Sequence, residues 1–319
     1  MASRTRLATW GLVALLAVDV ALVSAAFRNP FRQPATAPVT GAAATVTGTV
    51  PGSAGGTSTP AATSSTPAAT GFSGSGSMVG VVPIDSARAW RFVQGACPGG
   101  GASLAHTDNG GRTWEDVPIP FGAISRVQVT DAAKVVVVGT EGAGCRETAL
   151  RSTDTGQTWA SGGALALWYR SLATPTAVVN SNGRAGTPCG NGKALSVSAL
   201  SATSAAVLCE SGKIVETADG GGNWVEVSRG LSALAVDARV EASKLAALVA
   251  YVADGCSGVQ VASIAAGATT KLGCVDLGGR SNDGLLTHVA LSVEGNAGWL
   301  IVDGDTYTSD DGGKTWSTP

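Results

Sequence analysis

The stretch STDTGQTW, Ser152–Trp159, returns three times along the chain. The echoes are TDNGGRTW at Thr107–Trp114, TADGGGNW at Thr217–Trp224 and SDDGGKTW at Ser309–Trp316. Successive copies start 45, 65 and 92 residues apart, and half of 92 falls close to the first interval. A further copy is therefore expected near residue 263, where SIAAGATT (Ser263–Thr270) keeps Ser263, Gly267 and Thr269 but carries Ala265 and Thr270 for the Asp and Trp. The period is about 46 residues, with roughly 20 more inserted between the second and third copies. A period of this size indicates a solenoid, a propeller or an array.

The text around each copy selects among these. SVSAL, AAVLC, KIVETA and NWVEV precede or follow the Thr217 copy as short β-forming runs, and the last unit repeats the pattern around EGNAG and DGD. No ten-residue window carries a helical period with caps. Three or four short antiparallel strands per unit describe a propeller blade. The repeated phrase then reads as the turn between the last two strands of a blade. Its Asp accepts backbone N–H bonds, its fifth-place Gly supplies a left-handed backbone, and its Ser and Thr hydroxyls tie the turn ends. Its Trp opens the last strand and buries an apolar plate. The expected fold is an all-β propeller of five blades, or six if Ala166–Gly192 forms a degenerate one. No strand that would lock first and last blades together is evident.

Four segments are expected: residues 1–6 as a cytoplasmic start, 7–27 as a membrane span, 28–77 as a disordered linker and 78–319 as the propeller. Residues 7–27 are mostly apolar, lie between Arg4, Arg6 and Arg28, and match the length that crosses a bilayer. The rival reading is a signal peptide cleaved after Ala25, which gives a secreted protein. Asp19 weakens the span. The linker is built of Pro, Ala, Thr, Ser and Gly and cannot bury enough apolar surface to order itself. Both readings place the propeller outside the cytoplasm. All six cysteines follow the linker: Cys97, Cys145, Cys189, Cys209, Cys256 and Cys274. An even number in an exported domain indicates disulfides. Fifteen pairings are open; one links Cys97–Cys145 between blades, Cys189–Cys209 across the insertion and Cys256–Cys274 within a hairpin. No CxxC occurs, only two His are present, and a net charge of −2 offers no basic footprint for nucleic acid. No metal and no cofactor are expected.

The pattern S-x-D-x-G-x-T-W resembles the Asp-box, or bacterial neuraminidase repeat. Ser152, Asp154, Gly156, Thr158 and Trp159 match it in full, as do Ser309, Asp311, Gly313, Thr315 and Trp316. Thr107, Gly111, Thr113 and Trp114 match with Asn109 in the Asp place; Thr217, Asp219, Gly221 and Trp224 match with Asn223 in the Thr place. The blade text AGWLIVDGDTYTSDDGGKTW is similar to the photosystem II stability/assembly factor family of propellers. That resemblance implies a non-enzymatic binding or assembly module at the cell envelope, with a protein or polysaccharide partner there. The alternative is a glycan binder or sialidase-like glycoside hydrolase. A sialidase needs three Arg, a Tyr–Glu pair and an Asp, and Tyr169, Tyr251 and Tyr307 give no such set. FRNP at Phe27–Pro30 mimics the family's first Arg motif but precedes the repeats by some 80 residues. GGKT at Gly312–Thr315 belongs to the repeated turn, not to a phosphate loop. His106 and His288 lack nucleophile partners in sequence. Trp168, Tyr169 and Arg170 are residue types that favour interfaces, and they form the candidate partner surface.

Overall fold

The computed structural model describes residues 78–142, 144–162, 168–241, 243–281 and 284–319. The expected span at 7–27 and linker at 28–77 lie outside the described residues. No helix among the described residues is long and apolar enough to cross a membrane.

The chain folds as a five-bladed β-propeller. Blade one is β1 (Val79–Pro83), β2 (Ala89–Val93), β3 (Ser103–Thr107) and β4 (Glu115–Asp116). Blade two is β5 (Ala123–Val129), β6 (Val135–Thr140), β7 (Glu147–Ser152) and β8 (Ala160–Ser161). The insertion contributes three two-residue strands, β9 (Tyr169–Arg170), β10 (Val178–Val179) and β11 (Ala185–Gly186). Blade three is β12 (Ala194–Ala199), β13 (Ala205–Cys209), β14 (Ile214–Thr217) and β15 (Val225–Ser228). Blade four is β16 (Ser232–Glu241), β17 (Lys244–Val252), β18 (Gly258–Ala265) and β19 (Ala268–Asp276). Blade five is β20 (Val289–Glu294), β21 (Ala297–Val302) and β22 (Asp305–Ser309), with Ser317 bridged to Thr308 in place of a fourth strand. Each sheet is built from one contiguous segment with sequential antiparallel neighbours. The degenerate blade expected at Ala166–Gly192 exists as the rudimentary β9–β11 sheet, and β9 stands between β5 and β12.

Among the described residues no strand is exchanged between blades, and the ring closes by packing. β1 lies against β20 and β21, and the apolar seam there is Val81, Ala89, Ala290, Trp299 and Ile301. The indole N–H of Trp299 donates to the Asp85 carbonyl at 2.8 Å, and Trp114 packs edge-on against Trp299 with ring centres 6.0 Å apart. Other seams have the same character. Blades three and four share a cluster that includes Leu208, Ile214, Val249 and Ile264; blades four and five share Leu248, Val259, Leu291 and Leu300. The core thus lies between successive sheets, where the inner strands bury apolar side chains on both faces, as in β13 and β18.

The repeated turns add to these seams, because each docks on the blade before it. The Gly156 backbone is left-handed, φ +82°, and a Cβ there would sit 2.2 Å from Val117 of the preceding blade. A Cβ at Gly111 would meet Thr306 of blade five at 2.6 Å, and one at Gly221 would meet Trp168 at 2.9 Å. The absence of a side chain is what lets each turn approach.

The segment Ser263–Thr270 is not such a turn, which corrects the expectation. Its place in the blade is the expected one, between third and fourth strands, but Ala266 and Gly267 form a two-residue hairpin there and pairing runs up to Ala265↔Ala268. Without an Asp at 265 and a Trp at 270, nothing gathers the backbone into the compact turn. The strands continue instead, and β16 and β17 reach ten and nine residues.

Gly156→Val is expected to lower unfolding free energy by about 2–4 kcal/mol, combining a left-handed strain with overpacking against Val117. Gly144→Ala, where a Cβ meets nothing within 4 Å, is expected to leave stability unchanged. Urea unfolding of the two variants beside the parent measures both.

Candidate functional site

The four turns share one hydrogen-bond ring. The Ser152 hydroxyl donates to Asp154 Oδ1 at 2.7 Å and accepts the Gly156 N–H at 2.8 Å. Thr158 closes the ring, its N–H donating to Oδ1 at 2.9 Å and its hydroxyl to Oδ2 at 2.6 Å. Ser309, Asp311, Gly313 and Thr315 repeat this bond for bond. In the Thr217 copy, Asn223 donates both its backbone and its amide N–H to Asp219, at 2.9 and 2.6 Å. In the Thr107 copy the polarity is reversed: Asn109 Nδ2 donates to the Thr113 hydroxyl at 2.7 Å, while its Oδ1 accepts the Thr113 N–H at 3.1 Å. The acceptors of each carboxylate are engaged within the turn, and these bonds hold the turn's shape. These bonds hold the Asp154 and Asp219 carboxyls near pKa 2, through Thr158 and Asn223 respectively, and hold Asp311 lower still through Thr315. Trp114, Trp159, Trp224 and Trp316 are half-buried beside them.

The cysteines form Cys97–Cys145, Cys189–Cys209 and Cys256–Cys274, leaving none free. They join blade one to blade two, the insertion to blade three, and β19 to the connection before β18. Antiparallel succession places these second-to-third-strand connections on the face opposite the repeated turns.

The proposed partner surface at Trp168, Tyr169 and Arg170 is corrected. Trp168 is 1 % exposed, lies edge-on to Trp224 with ring centres 5.5 Å apart, and donates its N–H to the Ser201 carbonyl at 3.2 Å. It is a core residue, packed with Val178 of the small sheet and Ala194, Ala205, Val207 and Val215 of blade three. Arg170 points inward. Its Nη1 donates to the Ala194 carbonyl at 3.1 Å and its Nη2 to Gln94 Oε1 of blade one, and burial brings its pKa down to about 10. Glu147, across from it, accepts from the Leu172 N–H and the Ser171 hydroxyl, and burial pushes its carboxyl up. Arg170 therefore braces blades one and three. Tyr169 is half-buried beside it.

His106 pairs with Glu115 at 3.5 Å and packs on Trp90; His288 pairs with Asp303 at 3.2 Å. Asp305 pairs with Arg280 at 2.6 Å. Tyr251 and Tyr307 are buried in the seams. None of these gathers into a nucleophile or metal cluster among the described residues.

The concave feature that sequence reasoning missed is axial. Two cavities lie along the propeller axis, where the first strands of the blades converge. The inner one, about 130 Å³, is lined by Met78, Gln94, Arg170, Ser196 and Leu286 on the disulfide face. The wider chamber, about 450 Å³, opens on the face of the repeated turns and is lined by the ends of β1, β5, β12, β16 and β20. Arg126, Ser198, Asp237 and Ser292 line both, and so form the waist. Asp237 is buried, which raises its carboxyl pKa. Its Oδ1 accepts the Ser198 hydroxyl at 2.5 Å and its Oδ2 accepts the Val293 N–H at 2.8 Å. Arg126 donates Nη1 to the Val197 carbonyl at 3.2 Å, and burial lowers its pKa against the opposing pull of Asp237. Arg126 Nε and Gln128 Oε1 are buried and have no hydrogen-bond partner among the described residues. The signal in sequence was weak: a lone Arg and Gln at i and i+2 in a strand, AISRVQV.

No known protein-family model matches the chain, and no curated protein sequence matches it. Solved structures similar to it include YCF48 from Cyanidioschyzon merolae, at 18 % identity over 76 % of this chain and 85 % of that one, TM-score 0.27. The GH74 xyloglucanase from Xanthomonas campestris is 17 % identical over 76 % of this chain, TM-score 0.30, and the match spans only 38 % of the xyloglucanase. An α-L-arabinofuranosidase from Clostridium thermocellum is 10 % identical over 79 % of this chain and 95 % of that one, TM-score 0.40.

Two pH responses follow from the buried and bonded carboxyls. Asp154 and Asp219 have depressed pKa values, so their stabilising effect is complete above about pH 4 and is lost as pH falls toward 2. The double variant Asp154→Asn with Asp219→Asn is expected to fold at pH 7, as Asn109 does naturally, and to show a shallower fall in Tm between pH 4 and 2. Glu216 of β14 behaves oppositely: burial raises its carboxyl to about 7, and its Oε1 has no partner among the described residues. Its folded form holds a proton that the unfolded chain releases above about pH 4.5, so stability falls as pH rises from 4.5 to 7. Glu216→Gln is expected to raise Tm at pH 8 and to change it little at pH 4.5, as read by thermal melts at the two pH values.

Proposed function

We propose that this chain is an extracytoplasmic Asp-box propeller, of the photosystem II stability/assembly factor type, that binds or scaffolds a partner at the cell envelope without catalysing a reaction. The hydrogen-bond rings at Ser152, Thr217 and Ser309 are what an Asp-box would need, and three disulfides suit an oxidising compartment. In this reading residues 7–27 tether the propeller to the membrane, or are removed after Ala25, and residues 28–77 space it from the surface.

One observation carries the non-enzymatic reading. Glycoside hydrolysis uses two carboxyl groups that flank the bond, one to protonate and one to attack or activate water. At the axis, Asp237 has both oxygens occupied by Ser198 and Val293. Asp131 at the mouth is occupied by Lys134 and by the Ala133 and Lys134 N–H groups. Glu294, the third carboxylate of the lining, is exposed at the rim. Among the described residues, no aromatic side chain lines the chamber to carry a sugar ring.

The full-length chain, solubilised in detergent, is expected to release nothing from aryl glycosides of neutral, uronic and sialic sugars. In native membranes it is expected to crosslink through the chamber face to a dominant envelope protein, and Glu294→Lys is expected to abolish that product. Turnover that disappears in Asp237→Asn would overturn the reading in favour of the glycoside hydrolase.

A further inference from the structure

We propose that the inner axial cavity binds a small monovalent anion of the halide type, held between Arg126 and Arg170. Both side chains line this cavity, and their strands, β5 and β9, are in contact beside the axis. A guanidinium stays charged at any physiological pH and has five N–H groups to satisfy. Arg126 donates from Nη1 to the Val197 carbonyl, and its Nη2 makes no hydrogen bond among the described residues. The Nε of each Arg is sealed in the wall, whereas Nη2 of Arg126 is not. Arg170 donates from both Nη atoms, but to the neutral oxygens of Ala194 and Gln94, and each Nη keeps a second N–H. Neither guanidinium forms an ion pair with a carboxylate among the described residues.

Charge and size select the anion. The lining holds two guanidiniums and one carboxylate, Asp237. Asp237 offsets the Arg126 charge from beyond contact, its own oxygens being taken by Ser198 and Val293. Glu147, whose field reaches Arg170, lies outside the lining and accepts from the Leu172 N–H and the Ser171 hydroxyl. One positive charge is therefore left over in the lining. A buried charge without a counterion is among the costliest groups a fold can hold, and a bound anion removes that cost. The cavity is about 130 Å³, and one water needs roughly 10–15 Å³, so a halide fits with a few waters. The Ser125 and Ser196 hydroxyls are turned to the Val138 and Val236 carbonyls, which leaves the guanidiniums as the donors. Val81, Phe92, Val127 and Leu291 make much of the remaining wall apolar. A single surplus charge in such walls favours a monovalent, weakly hydrated ion over a divalent oxyanion, whose desolvation costs more. The anion ties blade two to the insertion, where the ring has only a two-residue strand. It neither requires nor excludes a partner at the cell envelope.

The probe is chloride, followed by the broadening of its NMR line on the full-length chain in detergent. Saturable broadening is expected that bromide reverses and sulfate at equal ionic strength does not. Tm is read alongside, with gluconate replacing chloride to hold ionic strength constant. It is expected to rise with chloride and level off, as mass action on a native-state site requires. Arg126→Gln and Arg170→Gln are each expected to weaken chloride about tenfold, the scale of a hydrogen bond to a charged group. Should either variant not fold, crystals of the parent chain soaked in bromide decide, with one anomalous peak expected between the two guanidiniums. Absence of saturable broadening, affinity unchanged in the folded variants, or no bromide peak in the cavity overturns the anion site. Each of these outcomes leaves the non-enzymatic reading standing, since that reading is tested on glycosides and by crosslinking.

Discussion

The structure depends on a small ring of hydrogen bonds in which an Asp or Asn side chain engages the hydroxyl two residues before it and the backbone and side chain four residues after it, while that hydroxyl also accepts the glycine N–H. In STDTGQTW the ring fixes Gly156 in a left-handed conformation and leaves a bare backbone facing Val117 of the blade before it. Local turn chemistry thereby becomes an inter-blade contact. The same step at Gly111 docks blade one on Thr306 and Trp299 of blade five, and there it has a second consequence. Among the described residues, the first and last blades exchange no strand. Closure falls instead to the turn, to the Trp114–Trp299 pair and to the apolar seam beneath them. A motif repeated for each blade's own sake also shuts the ring.

Blade four shows what happens without the ring. Its sequence keeps a Ser, a Gly and a Thr at the expected places, yet the Ser263 hydroxyl donates to Glu241 instead of gathering a turn. The blade compensates by longer strands and complete pairing through the hairpin. The period was therefore legible and the conformation was not. Periodicity reports where a connection must fall, whereas the turn type depends on two side chains, the Asp and the Trp, that this copy lacks. The disulfides follow the same logic. Their cysteines recur at one place in the blade, so placement was readable, but which sheets meet there is a property of the closed ring.

The axial site was illegible for a more basic reason. Arg126, Gln128, Ser198, Asp237 and Glu294 come from four different blades and are separated by up to 168 positions. Within its own strand each is an ordinary polar residue in an alternating pattern. Only the convergence of first strands on one axis makes them neighbours. The opposite error arose at Trp168 and Arg170. Their types resemble an interface, yet the short insertion has little else with which to fill its seam, and so it spends both inside. Composition near a segment cannot say which side of a sheet a large side chain faces when the strands are only two residues long.

The insertion also explains why the axis holds charge at all. A ring of full blades converges on first strands whose inward residues can be small and apolar. Here β9, between β5 and β12, is only two residues long, and Arg126 of β5 reaches past it to donate to the Val197 carbonyl of β12. The gap is filled by long polar side chains, Arg170 toward the disulfide face and Arg126 at the waist. Once Arg126 is buried, a compensating carboxylate follows, because an isolated buried charge is far costlier than a paired one. Asp237 occupies that role and is itself saturated by Ser198 and Val293. The waist is thus internally balanced, its one guanidinium facing a carboxylate that neighbouring strands already hold by hydrogen bonds.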